Sequence, residues 1–290
     1  MITNELFKLN NGIEMPKTGL GTWFIKNSDA AEVVRQAVKC GYRLIDTAQA
    51  YMNEAGVGEG IRTCGVKRDE LFVIDKIAAE AKSYDDAKKA IDAILSKTGL
   101  DYLDQIIIHA PQPWRKWRDK KNRYFAENKE VWRALEEANQ AGKVRSIGVA
   151  NFLQDDLENL LDGSTIRPAV NQILCHISNT PTELIGFCQK NDILVEAYSP
   201  VAHGKVLKNE TIVDMAARYG VSAAQLCLRY DLQLGTLPLP KTTNPAHMAE
   251  NLKLDFEISA AEMETLKQVP QIKSYGFLMN FMPVFSGKQP

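Results

Sequence analysis

The chain lacks the features that mark several classes of protein. No run of apolar residues approaches the roughly 20 that a membrane-spanning helix needs, and the first residues do not read as a signal peptide. Neither sign of charge dominates, since 35 Lys and Arg stand against 36 Asp and Glu, with a formal net charge of −1. A nucleic-acid-binding surface or an acidic tail is therefore not expected. We expect a soluble, cytoplasmic protein.

Cysteine is sparse and irregularly spaced. The five cysteines are an odd number, and they form neither a C-x-x-C pair nor a Cys/His pattern typical of a metal site. Free cytosolic thiols are the simplest interpretation, and we predict no metal. Basic residues cluster between 115 and 123, but Asp119 interrupts them, which favours an ordinary solvated loop over a binding surface.

Two further absences bear on the fold. No G-x-G-x-x-G follows a strand-like run, which argues against a Rossmann unit. No Pro/Gly/Ser-rich linker divides the chain either, so we predict a single domain over residues 1–290. The length of 290 residues fits one α/β barrel of about 250 residues with additions.

Short apolar runs alternate with longer amphipathic ones along the chain. Eight runs are strand-like: residues 18–21, 43–46, 72–76, 105–109, 146–149, 169–172, 194–198 and 236–239. The helix-like stretches cover residues 30–40, 54–63, 84–98, 128–141, 153–161, 181–190, 210–219 and 223–232. Alternating strands and helices with about eight repeats favour an α/β fold of the (β/α)8 TIM-barrel type.

Turn and end signals support this division. Residues 7–15 place an Asn-Gly turn between apolar residues and predict an N-terminal β-hairpin. Residues 27–29 can cap the first helix, and Gly41, Gly142 and Gly220 each follow a helical run, as expected for helix ends. The tail after Pro270 is unusually apolar, so we predict that it packs over the barrel mouth or against another subunit.

Side chains with acid–base chemistry stand where three of the strand-like runs end. Asp46, Lys76 and His109 lie at or just after such ends, and Tyr51 follows Asp46 by a short turn. In a barrel, the carboxyl ends of the strands form the face that carries the chemistry. Taken singly, Asp46 could organise a turn, Tyr51 could be a half-buried aromatic, and His109 could be structural. Together they predict a proton-transfer site.

The chain resembles the aldo-keto reductase family over nearly its whole length. The shared motifs are GLGTW at 19–23, GYRLIDTA at 41–48, Tyr51 with Asn53 and Glu54, Lys76, Ile108-His109, SIGV at 146–149 with Asn151-Phe152, PAVNQ at 168–172, AYSP at 197–200, and Pro240-Lys241 with Glu250-Asn251. Their order and spacing carry the resemblance, because any one of them alone would be weak. The resemblance implies that the N-terminal hairpin closes the bottom of the barrel and that the protein is a monomer.

The resemblance also implies an NAD(P)H-dependent reduction of an aldehyde or ketone, a small-molecule carbonyl substrate, to an alcohol. Tyr51 is the implied proton donor, with Lys76 and Asp46 as its modulators and His109 as the group that orients the substrate. A free phenol has a pKa of about 10 and is a poor acid at neutral pH. A nearby ammonium favours the phenolate and so lowers that pKa.

No side chain donates hydride, so the reaction requires a cofactor. The resemblance implies NADPH, bound extended across the barrel mouth, with NADH as a second cofactor. The implied cofactor-binding residues are Gly21, Thr22, Asn151, Gln172, Tyr198, Ser199, Val201, Gly204, Lys241, Thr242, His247, Glu250 and Asn251. Of these, Asn151 and Gln172 match positions that hold the nicotinamide carboxamide, and Tyr198 matches the ring that stacks on the nicotinamide.

The sequence departs from the family pattern at several positions. His247 stands where relatives often carry an Arg that forks onto phosphate, which predicts weaker discrimination between NADPH and NADH. Ala110 replaces a frequent Trp and predicts a wider substrate pocket, which Trp114 could partly fill. Trp23 is retained as a wall of that pocket. Asp75 precedes Lys76, and strand alternation directs it towards the helix layer.

Two alternatives belong to other functional classes. A nicotinamide-nucleotide-binding sensor or regulatory subunit would need the cofactor residues but has less need of a proton donor. A barrel that uses Lys76 as a Schiff-base nucleophile is disfavoured by the cofactor-loop motifs. The substrate itself is set by loops such as residues 111–123. A sugar-derived ketone, a dicarbonyl and an aromatic aldehyde are all compatible with the sequence.

Overall fold

The chain begins with the predicted hairpin, which closes one end of a barrel. In the computed structural model, which describes residues 2–272, 274–276, 279 and 282–285, β1 (Leu6–Lys8) pairs antiparallel with β2 (Glu14–Pro16). Gly12 reverses the chain with a φ of 84°, a conformation that suits glycine. Leu9 and Met15 are buried against residues at the amino ends of the barrel strands. The predicted hairpin and its position are confirmed.

Eight parallel strands follow and form one sheet. They are β3 (Leu20–Gly21), β4 (Leu44–Asp46), β5 (Phe72–Ile77), β6 (Leu103–Ile108), β7 (Val144–Ala150), β8 (Val170–Leu174), β9 (Leu194–Tyr198) and β10 (Leu237–Leu239). Each strand pairs with its neighbours in chain order. The Gly19 amide donates to Pro238 O at 3.4 Å and the Gly21 amide donates to Pro240 O at 3.0 Å, which closes the barrel. The predicted (β/α)8 fold is confirmed.

Helices cover the outside of the barrel. They are α1 (Asn27–Cys40), α2 (Glu54–Thr63), α3 (Tyr84–Thr98), α4 (Phe125–Gln140), α5 (Gln154–Leu161), α6 (Thr182–Lys190), α7 (Glu210–Arg218), α8 (Ala223–Gln233), α9 (Pro245–Asn251) and α10 (Ala260–Lys267). All eight predicted helices are present, whereas the pattern missed α9 and α10, which have only seven and eight residues. Within the described residues, no helix has both the length and the apolar character that crossing a membrane requires.

The start of α1 differs from the prediction. Residues 27–29 do not cap it, because the N-cap position is Lys26 and no side chain accepts a capping hydrogen bond there. Asn27 Oδ1 instead accepts from the Gly56 amide of α2 at 2.9 Å and ties the two helices together. The end of α1 is as predicted, since Gly41 adopts a left-handed φ of 115° that a side chain would disfavour.

The two ends of the barrel interior differ in polarity. Near the hairpin the interior is apolar, with Leu44 and Phe72 among its buried residues. Towards the carboxyl ends of the strands, buried polar residues replace the apolar ones: Asp46, Lys76, Gln105, Gln172 and Glu196. Burying such groups is costly unless they are paired and hydrogen-bonded. Catalytic groups are therefore expected at this end of the barrel.

Candidate active site

The four predicted catalytic side chains lie together at the carboxyl ends of three neighbouring strands. Asp46 is the last residue of β4, Lys76 is near the end of β5, and His109 directly follows β6. Tyr51 lies in the short 3-10 turn of residues 49–51 that follows β4. Because β4, β5 and β6 are adjacent in the sheet, the fold brings all four residues to one face.

Lys76 is fully buried and forms an ion pair with Asp46. Its ammonium donates to Asp46 Oδ1 and to Thr47 O at 2.8 Å. Burial lowers the pKa of Lys76, but Asp46 and Tyr51 outweigh it and raise that pKa above its usual range. A lysine that stays charged is a poor nucleophile, which argues against Schiff-base chemistry.

Tyr51 is a phenol that keeps its proton. Burial raises the pKa of Tyr51 to about 12, although the Lys76 ammonium acts in the opposite direction. Lys76 therefore lowers the pKa of Tyr51, as expected, but by less than burial raises it. Lys76 Nζ lies 4.9 Å from the centroid of the Tyr51 ring, close enough to stabilise charge that develops on the phenol oxygen.

His109 is a neutral imidazole beside that phenol. Its ring packs edge to face against Tyr51, with centroids 5.8 Å apart, and against Trp114, with centroids 5.1 Å apart. Burial, and to a smaller extent Lys76, holds the pKa of His109 well below its usual range. His109 Nδ1 is buried and has no hydrogen-bond partner among the described residues. A neutral imidazole has one N–H donor and one acceptor nitrogen, and it can bind a carbonyl or hydroxyl oxygen through the ring nitrogen that is not enclosed.

A cavity of about 590 Å³ opens over this group. Asp46, Tyr51 and His109 line it, and Lys76 lies beneath them. The predicted cofactor-binding residues that also line it are Gly21, Asn151, Gln172, Tyr198, Ser199, Val201, Gly204 and Lys241. Small-molecule sites are usually concave and mainly apolar, with a few placed polar groups, and this cavity has that character.

Gln172 faces the cavity with a fixed orientation of its amide. Its Nε2 donates to Asp46 Oδ1 at 3.0 Å and to Glu196 Oε2 at 2.7 Å. Only a donor can face two carboxylates, so the amide oxygen of Gln172 is the atom left for a ligand. Glu196 also accepts from Gln105 Nε2 at 2.6 Å, and burial raises the pKa of Glu196 to about 7.

Asn151 is held equally firmly. Its Nδ2 donates to His109 O at 3.0 Å, and its Oδ1 accepts from the Tyr198 hydroxyl at 2.8 Å. An aromatic ring at Tyr198 and an amide oxygen at Gln172 fit a nicotinamide ring with its carboxamide. The donor set of the cavity is therefore suited to this cofactor.

The remaining predicted cofactor residues do not line the cavity. Thr242, His247, Glu250 and Asn251 lie beyond Lys241, in the loop after β10 and in α9. Asn251 is buried, whereas His247 and Glu250 are exposed. Thr22 is buried, and its hydroxyl donates to Asp46 O at 2.9 Å, so it fixes the backbone of the site.

Two of the three predicted substrate residues form the other wall. Trp23 and Trp114 line the cavity, and Trp114 lies directly against His109. Ala110 is buried and does not line the cavity. The indole of Trp114, carried by the 111–123 loop, therefore occupies the space beside His109.

The described part of the apolar tail packs over the barrel mouth, which is one of the two predicted arrangements. Phe285 is buried and stacks on Trp23, with centroids 5.9 Å apart and ring planes at 19°. It also meets the edge of Tyr198 at 6.4 Å and His203 at 4.8 Å. Phe277, Leu278 and Phe281 of the same predicted tail lie outside the described residues.

Several residues that the sequence motifs do not single out line the cavity or support it. Phe24 and His203 line the cavity, and Glu196 anchors Gln172 from below. A Glu at an interior position of a strand would have been a signal for Glu196, since an unpaired carboxylate is seldom buried.

Asp75, whose partner the sequence leaves open, faces Glu54 of α2; burial and that carboxylate raise the pKa of Asp75 well above its usual range.

Comparison with known proteins agrees with this geometry. Residues 16–271 match the Aldo/keto reductase family. The chain is 41% identical over 264 residues to the glyoxal reductase of Bacillus subtilis (strain 168), covering 90% of this chain and 91% of that protein. It is 36% identical over 273 residues to the 9,11-endoperoxide prostaglandin H2 reductase of Trypanosoma cruzi (strain CL Brener), covering 92% of both.

Solved structures show the same fold. A Bombyx mori aldo-keto reductase crystallised in complex with NADP superposes with a TM-score of 0.84 at 32% identity, covering 96% of both chains. An aldo/keto reductase from Brucella melitensis superposes with a TM-score of 0.84 at 37% identity, covering 91% of this chain and 98% of that one.

Proposed function

This chain belongs to the aldo/keto reductase family and is an oxidoreductase that uses a nicotinamide cofactor, and we propose that Tyr51 is the proton donor with which it reduces aldehydes and ketones. The observation that carries the proposal is the buried set of Tyr51, Lys76 and Asp46, with His109 beside it, under one cavity.

Each residue of the set has a separate task. The chemistry that the bound cofactor supplies is hydride donation. An N–H of the neutral His109 ring, which lines the cavity, holds the carbonyl oxygen of the substrate beside the Tyr51 hydroxyl. Tyr51 gives its proton to that oxygen as negative charge develops on it. Lys76 then stabilises the phenolate left behind, and Asp46 keeps Lys76 in place.

We propose NADPH as the preferred cofactor, held at the nicotinamide end by Gln172, Asn151 and Tyr198. Ser199, Val201 and Gly204 would follow the pyrophosphate, and Lys241 with Thr242 would hold the 2′-phosphate. Glu250 and Asn251 would lie at the adenine. Lys241 is exposed and lines the cavity, which suits a residue that meets a phosphate at the rim.

His247→Arg is expected to raise the preference for NADPH over NADH by about 10-fold in kcat/KM, because a guanidinium adds a charge-assisted hydrogen bond to the 2′-phosphate. Steady-state rates with each cofactor measure this ratio. The NADH rate is an internal control, because that cofactor carries no 2′-phosphate. An equal gain with both cofactors would place the effect elsewhere than at the phosphate.

The pH profile of reduction follows from the protonation of the phenol. Tyr51 donates its proton only while protonated, so activity is retained below the phenol pKa and is lost as the pH rises through it. Since burial raises that pKa to about 12, and His109 stays neutral, neither residue should produce a basic limb in kcat/KM below about pH 10. The measurement is kcat/KM from pH 6 to 10. A one-proton decrease near pH 8 that Tyr51→Phe abolishes would contradict it.

The substrate we propose is a small carbonyl compound, as the name of the Bacillus subtilis relative suggests for that protein. Loss of NADPH absorbance should be followed with glyoxal, methylglyoxal, an aromatic aldehyde and a sugar ketone. Turnover with any of them supports the proposal. Binding of NADPH without oxidation by the whole panel would favour the sensor or regulatory subunit. Borohydride trapping of a carbonyl on Lys76 would favour the Schiff-base alternative.

A further inference from the structure

Glu196 is a fully buried acidic residue that supports the active site from inside the barrel. It belongs to β9, two residues before Tyr198. Its Oε2 accepts from Gln172 Nε2 at 2.7 Å, and its Oε1 accepts from Gln105 Nε2 at 2.6 Å. In the part of the chain that the structure describes, no cation forms an ion pair with Glu196. Burying a carboxylate without its own counter-ion is costly, so a neutral side chain would be the ordinary choice here.

The hydrogen bonds of Glu196 allow it both to carry and to lose a proton. As placed, both carboxylate oxygens face N–H donors, which favours the ionised form. Gln172 cannot turn its amide over, because its Nε2 also donates to Asp46 Oδ1 at 3.0 Å. The Gln105 amide can turn over, because its Oε1 contacts Ser146 Oγ at 3.2 Å, and a hydroxyl can donate or accept. Protonation of Glu196 therefore requires only that Gln105 turns, and it leaves Gln172 in place.

The charge below the site depends on this proton. The charged groups that act on Glu196 are Asp46 of β4 and Lys76 of β5, which form an ion pair with each other. With Glu196 ionised, the three groups carry one net negative charge, and with Glu196 protonated they are neutral. Burial raises the pKa of Glu196 to about 7, so the charge changes near neutral pH.

We propose that Glu196 makes the relative affinity for the oxidised and the reduced cofactor depend on pH. This inference rests on the proposed function, which places the nicotinamide carboxamide at Gln172. The oxidised nicotinamide ring carries one positive charge that the reduced ring lacks. Ionised Glu196, one hydrogen bond from Gln172, attracts that charge in low-dielectric surroundings and favours NADP+, whereas protonated Glu196 does not. Reciprocally, binding of NADP+ favours the ionised form and releases a proton from Glu196.

The test is the ratio of two dissociation constants, the Kd for NADP+ over the Kd for NADPH, measured by isothermal titration calorimetry from pH 6 to 9. In the unmodified protein the ratio should fall by about 10-fold as the pH rises and Glu196 ionises. Ionisation of the 2′-phosphate and of His247 acts on both nucleotides alike and cancels in the ratio. Glu196→Gln keeps the shape and stays neutral, so its ratio should remain constant, near the value of the unmodified protein at pH 6.

Asp75→Asn is the matched control, because Asp75 is another buried carboxyl group next to Lys76 but faces Glu54 of α2. It should leave the pH dependence of the ratio unchanged. Gln105→Met removes one hydrogen bond to the ionised form and should move the fall of the ratio about one pH unit higher. The Kd for 2′,5′-ADP, which lacks the nicotinamide, should agree within about 2-fold between Glu196→Gln and the unmodified protein. That agreement shows that the variant is folded.

Proton release gives a second readout at pH 7, from calorimetry in two buffers of different ionisation enthalpy. NADP+ should release more protons than NADPH from the unmodified protein, and equal numbers from Glu196→Gln. Three results would overturn the proposal: a constant ratio in the unmodified protein, an unchanged pH dependence in Glu196→Gln, or loss of that dependence in Asp75→Asn.

Failure of the proposed cofactor site looks different. In that case the unmodified protein binds neither nucleotide, or binds both with affinities that Gln172→Met does not change. Failure of the Glu196 inference leaves both nucleotides bound through Gln172 with a ratio that does not respond to pH. Carbonyl reduction is measured separately, from NADPH absorbance with the panel of carbonyl compounds.

Discussion

Tyr51→Phe is expected to lower kcat for carbonyl reduction by about 10²- to 10⁴-fold, the range that a positioned general acid contributes. The substitution removes one oxygen atom and leaves the ring that packs against His109 and Trp23. Binding of NADPH, measured by fluorescence titration, should therefore change by less than about 3-fold. The experiment separates proton donation from binding, because the two depend on different atoms of the same side chain.

Tyr42→Phe is the matched control for this prediction. Tyr42 is another buried tyrosine, in the cluster between barrel and helices, and it does not line the active-site cavity. If the effect at Tyr51 is chemical, removal of the Tyr42 hydroxyl should change kcat little. A Tyr51→Phe enzyme that retains more than about a tenth of the original kcat would show that another group, or water, supplies the proton.

The positions of Asp46, Lys76 and His109 could be predicted because they depend on one regularity of the fold. Parallel strands joined by helices place their carboxyl ends on one face, so residues that end separate apolar runs must meet there. Tyr51 follows by chain connectivity, since only a short turn separates it from β4. Neither inference requires knowledge of a side-chain conformation.

The protonation of these residues could not be predicted in the same way. The sequence places an ammonium near a phenol, which suggests a lowered pKa for Tyr51. The structure shows that burial opposes the ammonium and is the stronger effect. How deeply a residue is buried depends on the packing of the whole barrel mouth, including Phe285 and the 111–123 loop, and no local pattern contains that information.

Arg118 illustrates the same limit for the prediction of side-chain contacts. In the sequence it is one of several basic residues in a polar loop, where a solvated side chain is the ordinary expectation. In the structure Arg123, which lies five positions on, takes both nearby aspartates, whereas Arg118 donates one long hydrogen bond of 3.4 Å to Asn151 O. Which of two arginines finds the carboxylates is decided by tertiary packing, and no local pattern in the loop contains that information.

Lys76→Met is expected to destabilise the protein by about 3–5 kcal/mol, because it leaves the Asp46 carboxylate in the barrel without its ion-pair partner. Lys76 is fully buried and Asp46 is 4% exposed, so the carboxylate would lose its counter-ion while it remains almost wholly desolvated. Urea unfolding at neutral pH measures the change in free energy. The same variant should lower kcat by about 10- to 100-fold in its folded state, since the charge that develops on the Tyr51 oxygen loses the ammonium beside it.

The cause can be isolated with two further variants. Lys143→Met breaks the exposed pair of Lys143 with Asp92, whose side chains are 44% and 62% exposed, and should cost less than about 1 kcal/mol. Asp46→Asn combined with Lys76→Met removes both charges and should recover part of the stability but none of the activity. Recovery of stability without activity would mean that the buried pair is retained for its effect on Tyr51. If the double variant were as unstable as Lys76→Met, lost packing of the lysine side chain, rather than an unpaired carboxylate, would explain the destabilisation.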